Sequence, residues 1–337
     1  MRVGIEVWLE HADRNLRVGL LSHQAALLST GESSAQALHR IFGSHFVALF
    51  GPEHGYFGSA AAGEKTVSTI HPLWKIPVYS LYGDCRQPTA EMLQGLDLLV
   101  VDLQDIAVRC YTYLATLKLT LEACAAQGVR CVVCDRPIPF HGQQDGPVAE
   151  PEHFSFVAPC ALPLVYGMTH TEVAAWLKLP HIPAPMEGVV PTLSRPLDAP
   201  EFIPPSPAIR SWETARIYPA TVFAEAFPSL DVMRGTAWAF RVLCADWIQS
   251  EHLSAALNER SLPGIRFFEF VQGATHGAIR LHVTDPVAYR PWNVTQAILQ
   301  ELCAQNPTAL FKDFRSAWLT KLVGSMKALE FLTPFYK

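Results

Sequence analysis

The chain has 337 residues, half of them hydrophobic and 17% charged, which is ample for a large buried core and long for a single typical domain. A formal net charge of −5 and a pI of 6.2 give no basic surface of the kind that nucleic acid or an anionic membrane attracts. The first 15 residues interleave Glu6, Glu10 and Asp13 with apolar residues, unlike a secretory signal, and no apolar run reaches membrane-spanning length, so a cytoplasmic location is expected.

In chain order, Arg17–His23 is a short apolar strand, and Ser33–Gly43 a helix with Ser at its start and Gly at its end. His45–Phe50 is a second strand and Ile76–Leu81 a short extended one. Pro88–Gly95 opens with Pro and closes with Gly, as a short helix does. Leu96–Leu103 is a continuous apolar run, the pattern of a strand buried on both faces. Tyr111–Gly128 is a long helix, Val129–Cys134 a strand, and Thr169–Leu179 a helix capped by Thr169 or Thr171 with Glu172 in its first turn. Such alternation predicts an α/β fold, a Rossmann-like parallel sheet with helices on both faces. Its ligand site is then expected outside the carboxyl ends of the strands.

From about Pro180 to Pro207 the chain is proline-rich, with few helix or strand signals. Beyond it, strands over Ala237–Leu243, Ile265–Val271 and Ala278–Val283 mix with helices over Ser250–Glu259, Asn293–Gln305 and Lys312–Val323. The expected organisation is a catalytic domain over 1–185, a Pro-rich linker over 186–210 and a smaller α+β domain over 211–337. The eight cysteines are scattered, several inside apolar runs, as buried thiols in a reducing compartment would be. Cys131 and Cys134 share one strand, where residues three apart face opposite ways, so a structural role is expected rather than a metal or redox pair.

Three strands end in acid: His45–Phe50 runs into Glu53, Leu96–Leu103 carries Asp102 with Asp105 just beyond, and Val129–Cys134 runs into Asp135. The first strand ends in His23. If these strands are parallel neighbours, the acids converge on one crevice. Carboxylates held close together raise each other's pKa, and such clusters are usually functional. Taken singly, Asp102 or Asp135 could instead cap a turn or pair with Arg109 or Arg136.

Phe50–Gly58 (FGPEHGYFG) is the most informative segment. Its glycines and proline make a tight loop that a ligand can approach closely. It has neither the spacing of a dinucleotide loop nor that of a Walker loop. Glu53, beside Tyr56 and Phe57, is a candidate general acid of raised pKa. His54 is a supporting residue with no metal partner at helical spacing. Glu64 lies in a loop that either reaches the site or stays solvated. Arg109, Tyr111 and Tyr113 follow Asp105, a set suited to a polar ring such as a sugar.

The segments GPEHG (51–55), AGEK (62–65), PVYSLYG (77–83), D-x-QD-x-x-x-R-x-YTY (102–113), DRP-x-P (135–139) and GMT-x-x-E (167–172) are found together with PPSP (204–207), ETA-x-x-YP-x-T (213–221), Glu225, RGT (234–236) and HVTD (282–285). In this set and order the chain resembles the exo-β-N-acetylmuramidases, the NamZ-type glycoside hydrolases, over nearly its whole length. The resemblance implies a Rossmann-like catalytic domain with a smaller C-terminal domain packed over it. It implies release of terminal, non-reducing N-acetylmuramic acid from peptidoglycan fragments, with Glu53 as the catalytic glutamate and no metal or other cofactor. A second carboxylate is then expected from Asp102, Asp105 or Glu64. Arg109 and Arg234 are candidates for the lactyl carboxylate. The sequence departs from the family at His23, Ile138 and Ala208, where Asn is usual, and at Ala107 and Ala226, where Gly is usual. Three lost amides motivate an alternative, a muramyl-sugar-binding protein without turnover. A metal-dependent hydrolase built on His23, His54, Asp102 and Asp135 ranks below both.

Overall fold

The apolar runs separated by helical segments become one twisted sheet. In the computed structural model, which describes residues 2–188, 202–272 and 276–336, the first strands are β1 (Val18–Ser22), β2 (Phe46–Gly51), β3 (Thr69–Ile70), β4 (Pro77–Ser80), β5 (Leu98–Asp102) and β6 (Arg130–Cys134). A separate antiparallel ribbon pairs β7 (Asp145–Val148) with β8 (Pro163–Val165), and β9 (Ile182–Ala184) returns to the large sheet. The large sheet has the order β3-β4-β2-β1-β5-β6-β9, and only the β3/β4 pair is antiparallel. The chain runs outward from β1 through β2 to one side and from β5 through β6 to the other. That reversal opens a crevice at the carboxyl ends of β1 and β5.

The flanking helices are α1 (Gly4–Leu9), α2 (Ser34–Phe42), α3 (Ala90–Leu93), α4 (Tyr113–Gln127) and α5 (His170–Trp176). Their ends follow from the residues there. Ser33 accepts from the Gln36 amide to start α2, Thr169 and Glu172 form a capping box on α5, and Gly128 closes α4 at φ 70°. Alternate residues of each strand feed two cores. Leu99 and Val101 pack with Leu114, Leu117 and Leu121 of α4, whereas Leu98 and Val100 pack with Ala35, Leu38 and Phe42 of α2. Cys131 falls in the first core and Cys134 in the second, on opposite faces as their spacing requires, and all eight cysteines are free thiols. The expected α/β architecture is therefore present.

The C-terminal region carries α6 (Trp212–Thr221), β10 (Val242–Ala245), α7 (Ser250–Glu259), β11 (Ile265–Gln272), β12 (His276–Val283), α8 (Pro291–Gln305), α9 (Pro307–Leu310) and α10 (Ser316–Val323). Its antiparallel sheet has the order β10-β12-β11, covered by α6 and α7, with α8 packed against both of these helices. Phe227, Leu243, Leu299 and Leu322 from this region belong to the same apolar cluster as Leu114 and Val101.

Several elements differ from expectation. The strand expected over Ala237–Leu243 begins only at Val242, because Phe240 sits at φ 59° and the Arg241 amide turns back to the Trp238 carbonyl. The helix expected from Lys312 starts only at Ser316, because Asp313 sits at φ 57° and interrupts the turn before α10. Within the proline-rich stretch, Ile182–Ala184 is a strand on the sheet edge, where Pro183 lacks only an outward-facing donor. Residues 189–201 of that stretch lie outside the described residues. No helix among the described residues is long and apolar enough to cross a membrane.

Candidate active site

The loop after β2 is shaped by its own residue types. A Cβ on Gly51 would meet the Tyr56 amide nitrogen at 2.4 Å, so only glycine lets the chain fold back there. Gly55 sits at φ 76°, and His54 before it holds φ 73°, a left-handed conformation costly for a side-chain-bearing residue. The His54 Nδ1 donates to the Ala60 carbonyl at 2.9 Å, which fastens the turn. The result aims Glu53 away from the sheet and onto the N-terminus of α4. Its Oε1 accepts from the Gly63 amide at 2.9 Å and its Oε2 from the Thr112 hydroxyl at 2.6 Å. Tyr82 lines the same cavity; burial first, then the charge of Glu53, raise its phenol to about 12.

Glu53 faces a cavity of about 590 Å³ between the sheet and the C-terminal region. The opposite wall brings Glu225, on the turn after α6, and Arg234, which are paired with each other. Burial is the main cause of a raised Glu225 pKa; Arg234 and Trp318 oppose it, and the charge of Glu53 adds to it. Asp231, Tyr111 and Thr112 also line the cavity. Glu225 was not among the expected second carboxylates. Its signal in the sequence is a lone acid inside the apolar run Thr221–Phe227, a placement that is costly without a purpose.

The other predicted acids are placed elsewhere. Asp102 is fully buried and takes a bidentate fork from Arg136, at 2.7 and 2.8 Å, plus a bond from Ser34. Asp105 accepts from the Ile106 amide at 2.7 Å, from Tyr166, and from His170 at 3.0 Å. Asp135 accepts from the Thr171 amide at 2.9 Å and from its hydroxyl. Glu64 turns back to the Ala61 amide of its own loop, leaving the adjacent Gly63 amide to hold Glu53. None of these four acids lines the cavity, so the expected convergence of strand-end acids holds for Glu53 alone.

Arg109, a candidate for a substrate carboxylate, is fully buried. Its guanidinium donates to the Pro147 and Leu162 carbonyls and to those of Leu322 and Val323 at the end of α10. It fastens the C-terminal region to the β7–β8 ribbon and does not reach the cavity. Tyr111 lines the cavity, while Tyr113 donates to the Pro205 carbonyl behind it. His23 is buried with its Nε2 accepting from the Gln104 amide, and burial, reinforced by Arg136, lowers it to about 3.

Of the three positions where asparagine was expected, only Ala208 lines the cavity; Ile138 is in the core, and His23 lies outside the lining. Ala107, where glycine was expected, does adopt a left-handed φ of 55°. His23, Asp102 and Asp135 each have the separate protein partners given above, and with His54 they form no shared ligand set among the described residues.

A doubly wound sheet with a cleft at its carboxyl edge, lined by opposed carboxyl groups, defines an α/β enzyme suited to acid–base work on a polar substrate. Comparison with known proteins carries this to a family. Residues 18–213 match the family described as exo-β-N-acetylmuramidase NamZ, N-terminal, and residues 216–334 its C-terminal counterpart. The chain is 36% identical over 303 residues to the peptidoglycan β-N-acetylmuramidase NamZ of Bacillus subtilis strain 168, covering 85% of this chain and 73% of that protein. A crystal structure of a DUF1343 family protein from Bacteroides fragilis NCTC 9343 superposes with a TM-score of 0.87 at 29% identity, over 100% of this chain and 92% of that one. A second from the same organism, at 20% identity and a TM-score of 0.70 over 99% and 94%, shares the fold. The chain belongs to the NamZ-type exo-β-N-acetylmuramidase family.

Proposed function

We propose that the protein is an exo-acting glycoside hydrolase that releases terminal, non-reducing N-acetylmuramic acid from peptidoglycan fragments, with Glu53 and Glu225 as its pair of carboxyl groups. One observation carries the assignment of residues: both glutamates line one cavity, and no strand-end aspartate joins them. Glycoside hydrolysis needs a carboxylic acid to protonate the leaving oxygen and a second carboxylate as nucleophile or as base for water. Of the two groups bonded to Glu53, the Gly63 amide only donates, whereas the Thr112 hydroxyl can donate or accept as it rotates and so can stay bonded to a carboxyl group that takes part in proton transfer. Arg234, paired with Glu225, only donates, which suits Glu225 to act as the anion facing the positive charge that develops on the sugar. Eight free cysteines support action in a reducing compartment, on fragments brought into the cytoplasm.

The test is hydrolysis of a chromogenic β-N-acetylmuramide by the purified protein, with the matching β-N-acetylglucosaminide as control. Glu53→Gln is expected to lower kcat by about 10²–10⁴-fold without loss of folding. Normal turnover by Glu53→Gln would sink its role. The absence of turnover by the unmodified protein, with muramyl sugar still bound, would favour a binding function.

A further inference from the structure

A second, smaller cavity of about 310 Å³ opens beside the Glu53 turn, and the two cavities share no lining residue. Glu53 and His54 line the first, whereas Tyr56 and Phe57 line the second. Its wall is aromatic. The His71 ring stacks on Trp74 with centroids 4.0 Å apart and planes 9° apart, and Phe57 stacks on His71 at 6.2 Å. Tyr56 meets Phe57 and His71 edge-on, at 5.0 and 6.3 Å. Four rings thus converge on one place, and Phe57 is still half-exposed there.

The same cavity is lined by polar groups whose bonding within the protein is incomplete. The Gln24 Nε2 donates to the Pro204 carbonyl at 2.8 Å, which fixes the amide and leaves its Oε1 buried without a partner among the described residues. Gly58 packs directly on that amide, since a Cβ there would come within 2.0 Å of it. His23 spends its Nε2 on the Gln104 amide, so the ring proton is on Nδ1, which is also buried and unpartnered. Gln24 acts on the His23 ring, yet the two atoms do not meet at hydrogen-bond geometry. His71 accepts the Trp74 amide on Nδ1 at 3.2 Å, so its proton is on Nε2, a donor with no partner among the described residues. Burial, then the charge of His39, holds His71 below the ordinary histidine range, so the ring is neutral. No Asp, Glu, Lys or Arg among the described residues lines this cavity.

We propose that this cavity is a second ligand site, which takes a neutral pyranose through its hydroxyl groups and packs the sugar's C–H face on the rings of Phe57 and Trp74. An orphaned N–H donor and an orphaned carbonyl acceptor on neighbouring residues select the group. A hydroxyl accepts from His23 Nδ1 and donates to Gln24 Oε1. A carboxylate would be set against the Gln24 oxygen and an ammonium against the His23 N–H, and neither would find an opposite charge on the wall. A wholly apolar ligand would leave both atoms unsatisfied. A pyranose offers the apolar face and the hydroxyls together, which is what an aromatic pocket with a few convergent polar groups holds. The site rests on its own geometry and does not depend on the glycosidase reading.

The probe is methyl β-glucoside, titrated into the full-length protein carrying fluorotryptophan and followed by fluorine NMR. Trp74 reports on this cavity and Trp318 on the cavity of Glu53, each resonance being assigned from its Trp→Phe variant. The Trp74 resonance is expected to move with a millimolar dissociation constant. Tyr56→Phe and Phe57→Ala are each expected to weaken binding by about 2- to 10-fold, the range of one hydrogen bond or one ring contact. Glucuronic acid keeps the ring and adds a charge, and it is expected to bind about 10-fold more weakly at neutral pH. A Trp74 resonance that stays still up to the solubility limit of the sugar leaves the orphaned atoms to water and overturns the proposal. So does movement of Trp318 alone, which puts the sugar in the cavity of Glu53. Binding that neither substitution weakens, in proteins of normal thermal stability, overturns it as well, as does equal binding of the charged sugar. The titration requires no turnover, so failure to hydrolyse the chromogenic muramide would count against the enzymatic reading and leave this site standing.

Discussion

The carboxylates of this protein divide into two groups that look alike in sequence and differ in what surrounds them. Asp102, Asp105 and Asp135 end their strands beneath the surface, and both oxygens of each accept bonds from nearby protein donors. Glu53 and Glu225 are also bonded, yet both face an open cavity of about 590 Å³. A carboxylate enclosed by donors from several elements fixes the structure around it. One held from behind, with its front open, can meet a substrate. Asp102 makes the point: its fork to Arg136 ties the end of β5 to the segment after β6, and Arg136 reaches on to the Leu27 carbonyl and the start of α2.

Substitutions can break this division or sharpen it. Removing the charge of Asp102 with Asp102→Asn leaves Arg136 buried and unpaired, so a loss of about 3–5 kcal/mol in chemical denaturation is expected. Turnover per folded molecule should stay close to that of the unmodified protein. A stable Asp102→Asn protein with abolished turnover would move Asp102 into the chemistry and undo the comparison.

Glu225→Gln should behave in the opposite way. Its turnover is expected to fall by about 10²–10³-fold if it is the second carboxyl group. Its stability should rise at neutral pH. Burial raises the folded-state pKa of Glu225 above its unfolded value, so its favourable contribution is present below the ordinary glutamate range and is lost as pH rises through the folded pKa. The amide carries no such loss. Melting temperatures of the two proteins should therefore differ most near pH 7 and converge below about pH 4.

Much of the fold was legible because hydrophobic period and capping residues agree. Leu96–Leu103 could only be a doubly buried strand, and Ser33, Gly128 and Thr169 mark helix ends in residue chemistry alone. Glu53 was legible for a similar reason: the glycines around it demand a turn that only a close approach explains. What could not be read was pairing across long sequence distances. Nothing local says that Arg136 would claim Asp102, or that Arg109 would find the Leu322 and Val323 carbonyls more than 200 residues away. Glu225 was missed because its opposition to Glu53 exists only once the C-terminal region packs over the sheet. The same ignorance made Arg109 look like a substrate ligand, since a buried clamp and a binding-site arginine have the same side chain.

His23 gives the smallest expected effect and tests whether the strand ends are structural at all. Its ring is buried, with Nε2 accepting from the Gln104 amide, and burial followed by the charge of Arg136 depresses it to about 3. In the unfolded chain it titrates near 6.5. The unfolded state thus binds the extra proton between those values, and stability is fully present above pH 6.5 and drains away as pH falls toward 3, at up to about 1.4 kcal/mol per pH unit from this group. Asparagine cannot take up that proton, and its side-chain oxygen can accept the Gln104 amide if the backbone adjusts. His23→Asn should therefore flatten the acid side of the stability curve, with urea midpoints at pH 7 and pH 4.5 closer together than in the unmodified protein. It should leave muramide turnover at pH 7 nearly unchanged, because His23 does not line the cavity. Equal spacing of the midpoints in both proteins would mean that His23 is charged or water-exposed in the fold. In that case the end of β1 would belong with the open carboxylates rather than with the enclosed ones.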